Sequence, residues 1–441
     1  MKNILVLGAG FVTRPLVAYL LEQPETRLTM ATRTVEKARN IICGHPNGSA
    51  VEVNVENGEA LEKVIKPADI VISLLPWTFH LDVAKLCLAH KKHLVTTSYV
   101  KPEMAALDAE AKASGLLFLN EIGVDPGIDH MAAMKVINEV KGAGGEIESF
   151  YSYCGGLPSL PCNDNPFGYK FSWSPKGVLL AALNDGRYLK DGEIVKIDSE
   201  HLFEHYWLID VPGAGAFEAY VNRDALPYME IYGIQSARSM YRGTLRNIGH
   251  CESWNYFKKI GLLNHERTFD FTTTSPREIM AALAGGGGRD VALDIAGFLG
   301  IPPYAVAIKK LAWLGLLDDR KLPLKAATPF DMFAHVLEKK LVYRPGETDL
   351  LIQYHEFVAA YPDGVRKKIT AAMIDTGIPG GDSAMSRTVG LPAAIGTRML
   401  MEGKLRLTGV HRPVLPEIYR PVLDELSDLG IRLNERCEVL G

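Results

Sequence analysis

Two glycines, Gly8 and Gly10, stand between an apolar run ending at Leu7 and an amphipathic segment beginning near Thr13. A glycine directly after a strand permits the tight turn into a helix. A second one, two residues on, lets a pyrophosphate approach the backbone amides at the helix N-terminus. The full dinucleotide fingerprint carries a third glycine where this chain has Thr13. A bare Gly-x-Gly also occurs in ordinary strand-to-helix turns, so its weight depends on the elements around it.

Those elements recur regularly. Apolar, β-branched runs at Lys2–Leu7, Arg27–Thr32, Ala50–Asn54, Ile70–Leu74, His93–Thr97 and Leu116–Asn120 alternate with amphipathic segments. Such alternation is the pattern of a parallel sheet covered by helices on both faces. Six strands of this kind complete a doubly wound Rossmann sheet, whose ligands bind beyond the carboxyl ends of the strands. The residues just past each run are therefore the expected cofactor edge: Gly8, Gly10, Phe11, Val12 and Thr13; Thr32, Arg33 and Thr34; Asn54 and Val55; Leu75; Thr97 and Ser98; and Val124, Asp125 and Pro126. An NAD site usually has a carboxylate about 20 residues past the glycines, on the ribose 2′-hydroxyl. Here the second strand ends Thr32-Arg33-Thr34, which offers a guanidinium to a 2′-phosphate and no carboxylate to repel it. The cofactor expected is NADP.

A chain of 441 residues exceeds what one hydrophobic core usually supports. The sequence predicts an α/β protein in three parts. Residues 1–127 form the Rossmann domain, to which 386–441 returns. Residues 128–252 with 348–385 form a second, α+β domain with a mixed sheet, and 253–347 form an inserted, mostly helical lobe broken at Gly285–Gly288. Gly155 to Pro175, dense in Gly, Pro, Asn and aromatics, reads as a binding loop rather than an element. A net charge of −4, with no long basic run, disfavours nucleic acid and anionic membranes as partners. No stretch approaches the ~20 apolar residues of a membrane span, and the opening residues lack a signal peptide's apolar core. A cytoplasmic location is expected. Six scattered cysteines without a Cys-x-x-Cys pair suggest neither a disulfide framework nor a metal site.

With these residues assembled, the chain resembles the NADP-dependent, glutamate-forming saccharopine dehydrogenases, also called saccharopine reductases. The resemblance extends over nearly the whole chain. It is carried by Gly8 to Pro15, Val71-Ile-Ser-Leu-Leu-Pro76, Thr97-Ser-Tyr99 and above all Asn120-Glu-Ile-Gly-Val-Asp-Pro-Gly-Ile-Asp-His130. It continues through Ser152 to Pro158, Asn165 to Ser174, Asn222-Arg-Asp224 and Arg242-Gly-Thr-Leu-Arg246. The chain departs at Val124, where many members have leucine, and at Val221, where they have proline. The resemblance implies reversible reductive condensation of glutamate with 2-aminoadipate 6-semialdehyde, through an imine, to saccharopine. It also implies a homodimer built through the second domain.

Saccharopine bears several carboxylates and two amines, so its site needs cationic anchors and at least one negative partner. Arg223 and Arg246 are the expected carboxylate anchors, with Thr244 and Leu245 beside Arg246; the plainer reading of each arginine is a surface ion pair. Ser98 and Tyr99 offer hydroxyls to substrate and cofactor. Asp125 is either an amino-group acceptor or the cap of the following helix. Asp125, Tyr99, Lys170 and Cys154 are candidates for proton transfer during imine chemistry, Cys154 also as a substrate contact. Lys170 could equally pair with a carboxylate, and Cys154 be a packed apolar residue. Phe171 and Trp173 complete the expected substrate contacts, while His130 reads as packed in a helix. The competing functions are an NADPH-dependent carbon–nitrogen oxidoreductase resembling carboxynorspermidine synthase, whose diamine would want an acidic pocket, and an NADP-binding sensor without chemistry.

Overall fold

Each of the apolar runs in the first 120 residues forms a strand in the computed structural model, which describes residues 1–287 and 289–440. Gly288 and Gly441, on which the expected break at Gly285–Gly288 and the end of the 386–441 segment fall, lie outside the described residues. Strands β1 to β6 are Lys2–Leu7, Thr26–Thr32, Gly48–Glu52, Ile70–Ser73, His93–Thr96 and Leu117–Leu119. Then come β7 (Glu146–Pro158), β8 (Gly186–Lys190), β9 (Glu193–Ile197), β10 (Tyr206–Val211), β11 (Gly215–Val221) and β12 (Ser239–Arg246). A short pair, β13 (Phe269–Asp270) and β14 (Ala326–Ala327), precedes β15 (Asp349–Ala360), β16 (Arg366–Thr376), β17 (Gly409–His411) and β18 (Asn434–Leu440).

The chain divides into two units. The first comprises residues 1–147, 231–234 and 355–441. Its parallel sheet has the order β17-β6-β5-β4-β1-β2-β3, the doubly wound arrangement with its reversal between β1 and β4. Because helices cover both faces, the central strands are apolar on both sides: Leu5, Val6, Leu7, Val71, Ile72, Leu94 and Phe118 are all buried. The seventh strand, β17, was not expected from the sequence; three residues are too few to show a period. The helix Ala384–Met401 packs on the helix Thr13–Leu21. Gly390 makes that approach possible, since a Cβ there would lie 2.8 Å from the Val12 carbonyl oxygen. The strands β15, β16 and β18 continue in this unit, β16 and β18 antiparallel.

The second unit comprises residues 148–230 and 235–354. Its sheet is mixed, in the order β10-β11-β12-β7-β15, with β12 parallel to β7 and antiparallel to β11. One face carries an aromatic cluster in which Trp207, Tyr188 and Tyr153 lie 4.6, 5.2 and 5.4 Å from the Tyr241 ring. The mostly helical stretch 253–347 lies within this unit and includes the capping boxes Ser275/Glu278 and Thr328/Asp331. The expected binding loop is partly regular: residues through Pro158 extend β7, a 3-10 turn covers Leu160–Cys162, and no regular element follows until Pro175.

Candidate active site

Parallel pairing brings the carboxyl ends of β1 to β5 to one edge, with Leu7 beside Ala31 and Ser73, and Ser73 beside Thr96. At Gly8 the backbone has φ +106, and a Cβ would lie 3.1 Å from the Leu74 oxygen, so only glycine suits the turn. A Cβ on Gly10 would meet nothing within 4 Å, which leaves the space over the turn open. Thr13, in place of the third glycine, is fully buried, and its hydroxyl accepts a hydrogen bond from the Gly10 amide at 3.1 Å. It holds the turn from inside. Phe11 is exposed and Val12 half-buried beside it. Arg33 is exposed and makes no hydrogen bond or ion pair with the described residues, while the Thr34 amide donates to Thr32 Oγ1 at 3.4 Å. Asn54 turns its Oδ1 back to the Glu56 amide at 3.2 Å; Val55, Leu75 and Thr97 are half-buried, and Val124 and Pro126 are buried. An open glycine turn with an unengaged guanidinium at the end of β2 fits a dinucleotide bearing a 2′-phosphate.

Past β5 and β6 the structure brings Tyr99 and Asp125 together: Tyr99 Oη donates to Asp125 Oδ1 at 2.6 Å. The capping reading of Asp125 is not observed. The helix Ile128–Gly142 is entered through Gly127, whose amide donates to Asp129 Oδ1 at 2.6 Å. Ser98 Oγ lies 2.8 Å from His80 Nε2, and His80 Nδ1 lies 2.9 Å from Ser73 Oγ. A cavity of about 450 Å³ beside this loop is lined by Trp77, His80, Thr96, Tyr99, Lys101 and Asn120, among others.

A buried group that sequence reasoning missed holds the loop from behind. Glu121, itself at φ +56, donates its amide to the Ser98 carbonyl at 3.2 Å and accepts the Val100 amide on Oε1 at 2.8 Å, so it brackets Tyr99. The same oxygen takes Arg412 Nε at 2.7 Å, and Oε2 pairs with His130 Nε2 at 2.8 Å. His130 Nδ1 lies 2.6 Å from Tyr232 Oη, which bears out its packed role. Burial pushes the Glu121 carboxyl up, but the His130 hydrogen bond and the charges of His130 and Arg412 outweigh it and hold the group at about 2.

In the second unit, Arg246 ends β12 opposite Glu218 of β11. It is buried, so the surface ion pair considered above is not what it makes. Its Nη1 donates to the Leu245 carbonyl at 2.9 Å, its guanidinium lies 4.9 Å over the Tyr169 ring, and its Nε is buried without a hydrogen-bond partner among the described residues. Among the described residues no carboxylate pairs with it. Glu218 does not serve, because its two oxygens accept the Gly249 and Cys251 amides, both at 2.7 Å, at the start of the helix His250–Lys259. Lys310 is buried nearby, donating to the Gly249 carbonyl and to Ser253 Oγ, and burial pushes it down to about 8.

Thr244 is half-buried and pairs in register with Cys154. Leu245 differs from the expected contact: its side chain is fully buried beside Gly155, and what it offers is the carbonyl that orients Arg246. Arg223 lies past the end of β11, where Val221 pairs with Gly243. Arg223 follows Glu218, the residue opposite Arg246, by five positions in sequence and lies in a bend, not in the strand. Its neighbour Asp224 is taken by Arg187 at 3.0 Å. Phe171 is buried edge-on to Tyr169 at 5.5 Å, and Trp173 is half-buried.

Of the two readings of Lys170, its contacts match the carboxylate pair. It is 3% exposed and held by Asp164 at 2.8 Å and Glu347 at 2.7 Å. Burial alone would lower its pKa, but the hydrogen bonds and charges of the two carboxylates raise it, which favours the charged, paired form.

The doubly wound sheet and its open glycine edge define a Rossmann-type, dinucleotide-dependent oxidoreductase. Residues 4–119 match the saccharopine dehydrogenase NADP binding domain, and residues 123–431 match the saccharopine dehydrogenase C-terminal domain. The chain is 38% identical to saccharopine dehydrogenase (NADP(+), L-glutamate-forming) of Schizosaccharomyces pombe, with 99% of each chain covered, and equally so to the enzyme of that name from Pyricularia oryzae. The solved apo saccharopine dehydrogenase (L-Glu forming) from Saccharomyces cerevisiae superposes with a TM-score of 0.90 at 35% identity, covering 99% of this chain and 100% of that one. The chain belongs to the saccharopine dehydrogenase family.

Proposed function

We propose that the protein catalyses the NADP-linked interconversion of saccharopine and water with glutamate and 2-aminoadipate 6-semialdehyde, a reaction of lysine metabolism that proceeds through an imine. Family membership over the full chain supports this, and the observation that carries the substrate assignment is Arg246. A buried guanidinium with an unsatisfied Nε and no carboxylate partner is costly. It suits a site whose counter-ion arrives with the ligand. A diamine, as in the carboxynorspermidine alternative, would be repelled by it.

NADP, when bound over Gly8 and Gly10 with its 2′-phosphate at Arg33, supplies the hydride chemistry. Residues 1–127 with 386–441 are the cofactor-binding part of this reading, and the remainder carries the substrate anchors. Arg246 grips one substrate carboxylate, and Arg223, in the bend past the end of β11, suits a different one. The Asp125 carboxylate, oriented by Tyr99, accepts a hydrogen bond from a substrate amine and is the candidate to hold a proton during imine formation and hydrolysis. Ser98 and Thr244 complete the hydrogen bonding; Cys154, Phe171 and Trp173 shape the surroundings. A homodimer and a cytoplasmic location belong to the same proposal, on the family resemblance. Among the described residues no helix is long and apolar enough to cross a membrane.

Incubating the protein with saccharopine and NADP and following NADPH absorbance, with glutamate identified as the released product, tests the activity. No NADPH formation, with saccharopine unconsumed, overturns it. For the cofactor, Arg33→Ala is expected to raise the KM for NADPH by roughly 10–100-fold, the loss of charge-assisted bonds to a phosphate, and to leave the KM for NADH within twofold. Equal effects on both cofactors would remove Arg33 from the site.

A further inference from the structure

The hydroxyl of Ser98 is backed by a buried chain that has a direction. We infer that His80 is a positioning residue: Ser73 Oγ–H donates to His80 Nδ1, His80 Nε2–H donates to Ser98 Oγ, and the Ser98 proton is thereby left to reach an oxygen acceptor on the bound ligand. This rests on the assignment of Ser98 to the ligand site in the proposed function.

The direction follows from counting hydroxyl protons. Ser73 is fully buried, and its side chain's one hydrogen bond among the described residues is to His80 Nδ1, at 2.9 Å. His80 and Thr96 are buried as well. Thr96 Oγ1 lies 3.3 Å from His80 Nε2, accepts the Ser98 amide at 3.3 Å, and lines the cavity beside the loop. With Nδ1 as the acceptor, Ser73 donates to it and is satisfied, Nε2–H serves Ser98 Oγ at 2.8 Å, and Thr96 can turn its proton into the cavity. In the opposite tautomer Nδ1–H points at Ser73, whose own proton then has no acceptor. Ser98 must donate inward at 2.8 Å, because two lone pairs cannot face each other at that distance. That arrangement strands the Ser73 proton in the protein interior, where unsatisfied donors are rare. Burial also pushes the imidazole down to about 4, so at neutral pH it is uncharged and holds one tautomer.

In this arrangement Ser98 is a donor only outward, suited to a substrate carboxylate or to a phosphate or carbonyl oxygen of the cofactor. Steady-state kinetics on the 441-residue protein discriminate these sources: whichever KM rises, for saccharopine or for NADP, identifies the acceptor. His80→Leu is expected to raise that KM roughly tenfold, the scale of one hydrogen bond to a charged group. The same substitution in a Ser98→Ala background should change it less than twofold, because its effect runs through Ser98. His80→Gln, which can present an amide N–H to Ser98, should restore most of the loss, whereas His80→Asn, long enough to reach Ser73 but not Ser98, should not. Should His80→Leu fail to fold, the His80→Gln and His80→Asn pair gives the same comparison. An equal factor for His80→Leu in both backgrounds, with Ser98→Ala itself defective, overturns the relay and leaves the Ser98 assignment standing. A Ser98→Ala protein with unchanged KM for both ligands overturns the Ser98 assignment and the relay with it.

Discussion

Arg246→Met raises the KM for saccharopine by roughly 100–1000-fold, leaves the KM for NADP within twofold, and leaves the protein no less stable. The magnitude is that of losing a buried charge partner for a ligand carboxylate, about 3–4 kcal/mol. The stability result is the more discriminating half. In the free protein the Arg246 guanidinium is buried with an orphaned Nε and, among the described residues, no carboxylate partner. Its charge is a cost that an apolar side chain of similar length does not carry. Methionine should therefore hold or increase resistance to urea while abolishing tight substrate binding. A destabilisation above about 2 kcal/mol would mean that Arg246 props up the fold through its Leu245 and Tyr169 contacts, and its role as a ligand anchor would have to be abandoned.

Removing Glu121 should act in the opposite way, on stability first. Glu121→Ala takes the partner from a buried histidine, from Arg412 and from the Val100 amide at once. Breaking a buried ionic network by deleting one member costs about 3–5 kcal/mol. Denaturant titration should register that loss. The kcat should also fall, because the Val100 amide just after Tyr99 is no longer held, although the residue 121 amide can still donate to the Ser98 carbonyl. The network has an acid signature. The Glu121 carboxyl titrates near 2 in the folded protein instead of at its ordinary 4.5, so the unfolded chain binds the proton more readily. Its contribution is complete above about pH 4.5 and drains away as the pH falls toward 2. Stability measured from pH 5 to pH 3 should thus drop more steeply in the parent protein than in Glu121→Gln. Parallel curves for the two would show that Glu121 is not the group responsible.

The contrast between Glu121 and Arg246 also marks what the sequence could reveal. Strand positions, the glycine turn and Arg33 were legible because they rest on local periodicity and on residues adjacent in sequence. Asp125 and Tyr99 were legible as candidates because they lie just past strand ends. That they touch follows from β5 and β6 being neighbours. Glu121 and His80 were not singled out, since their meaning comes from partners elsewhere in the fold, such as Arg412, 291 positions from Glu121. Lys170 was left between two readings for the same reason. A lysine among aromatics looks reactive until Glu347, 177 positions away, is placed against it. Tyr169 carried no chemical signal of its own and is read as the platform under Arg246 only once β12 is in place.

The pairing of β17 with β6 also bears on how the molecule is made. The last strand of the nucleotide sheet, together with the Asn120 to His411 backbone bond at 2.8 Å and the Arg412 to Glu121 pair, is supplied by residues that leave the ribosome long after β6 has emerged. At about 5–20 residues per second, that interval of 291 residues lasts roughly 15–60 s. During it, the edge of β6 has no strand partner on that side and Glu121 lacks its arginine. A sheet whose first six strands lie within residues 2–119 is thus completed only once β17 is made, and nascent chains stalled before residue 409 should carry an unpaired sheet edge open to association with other chains.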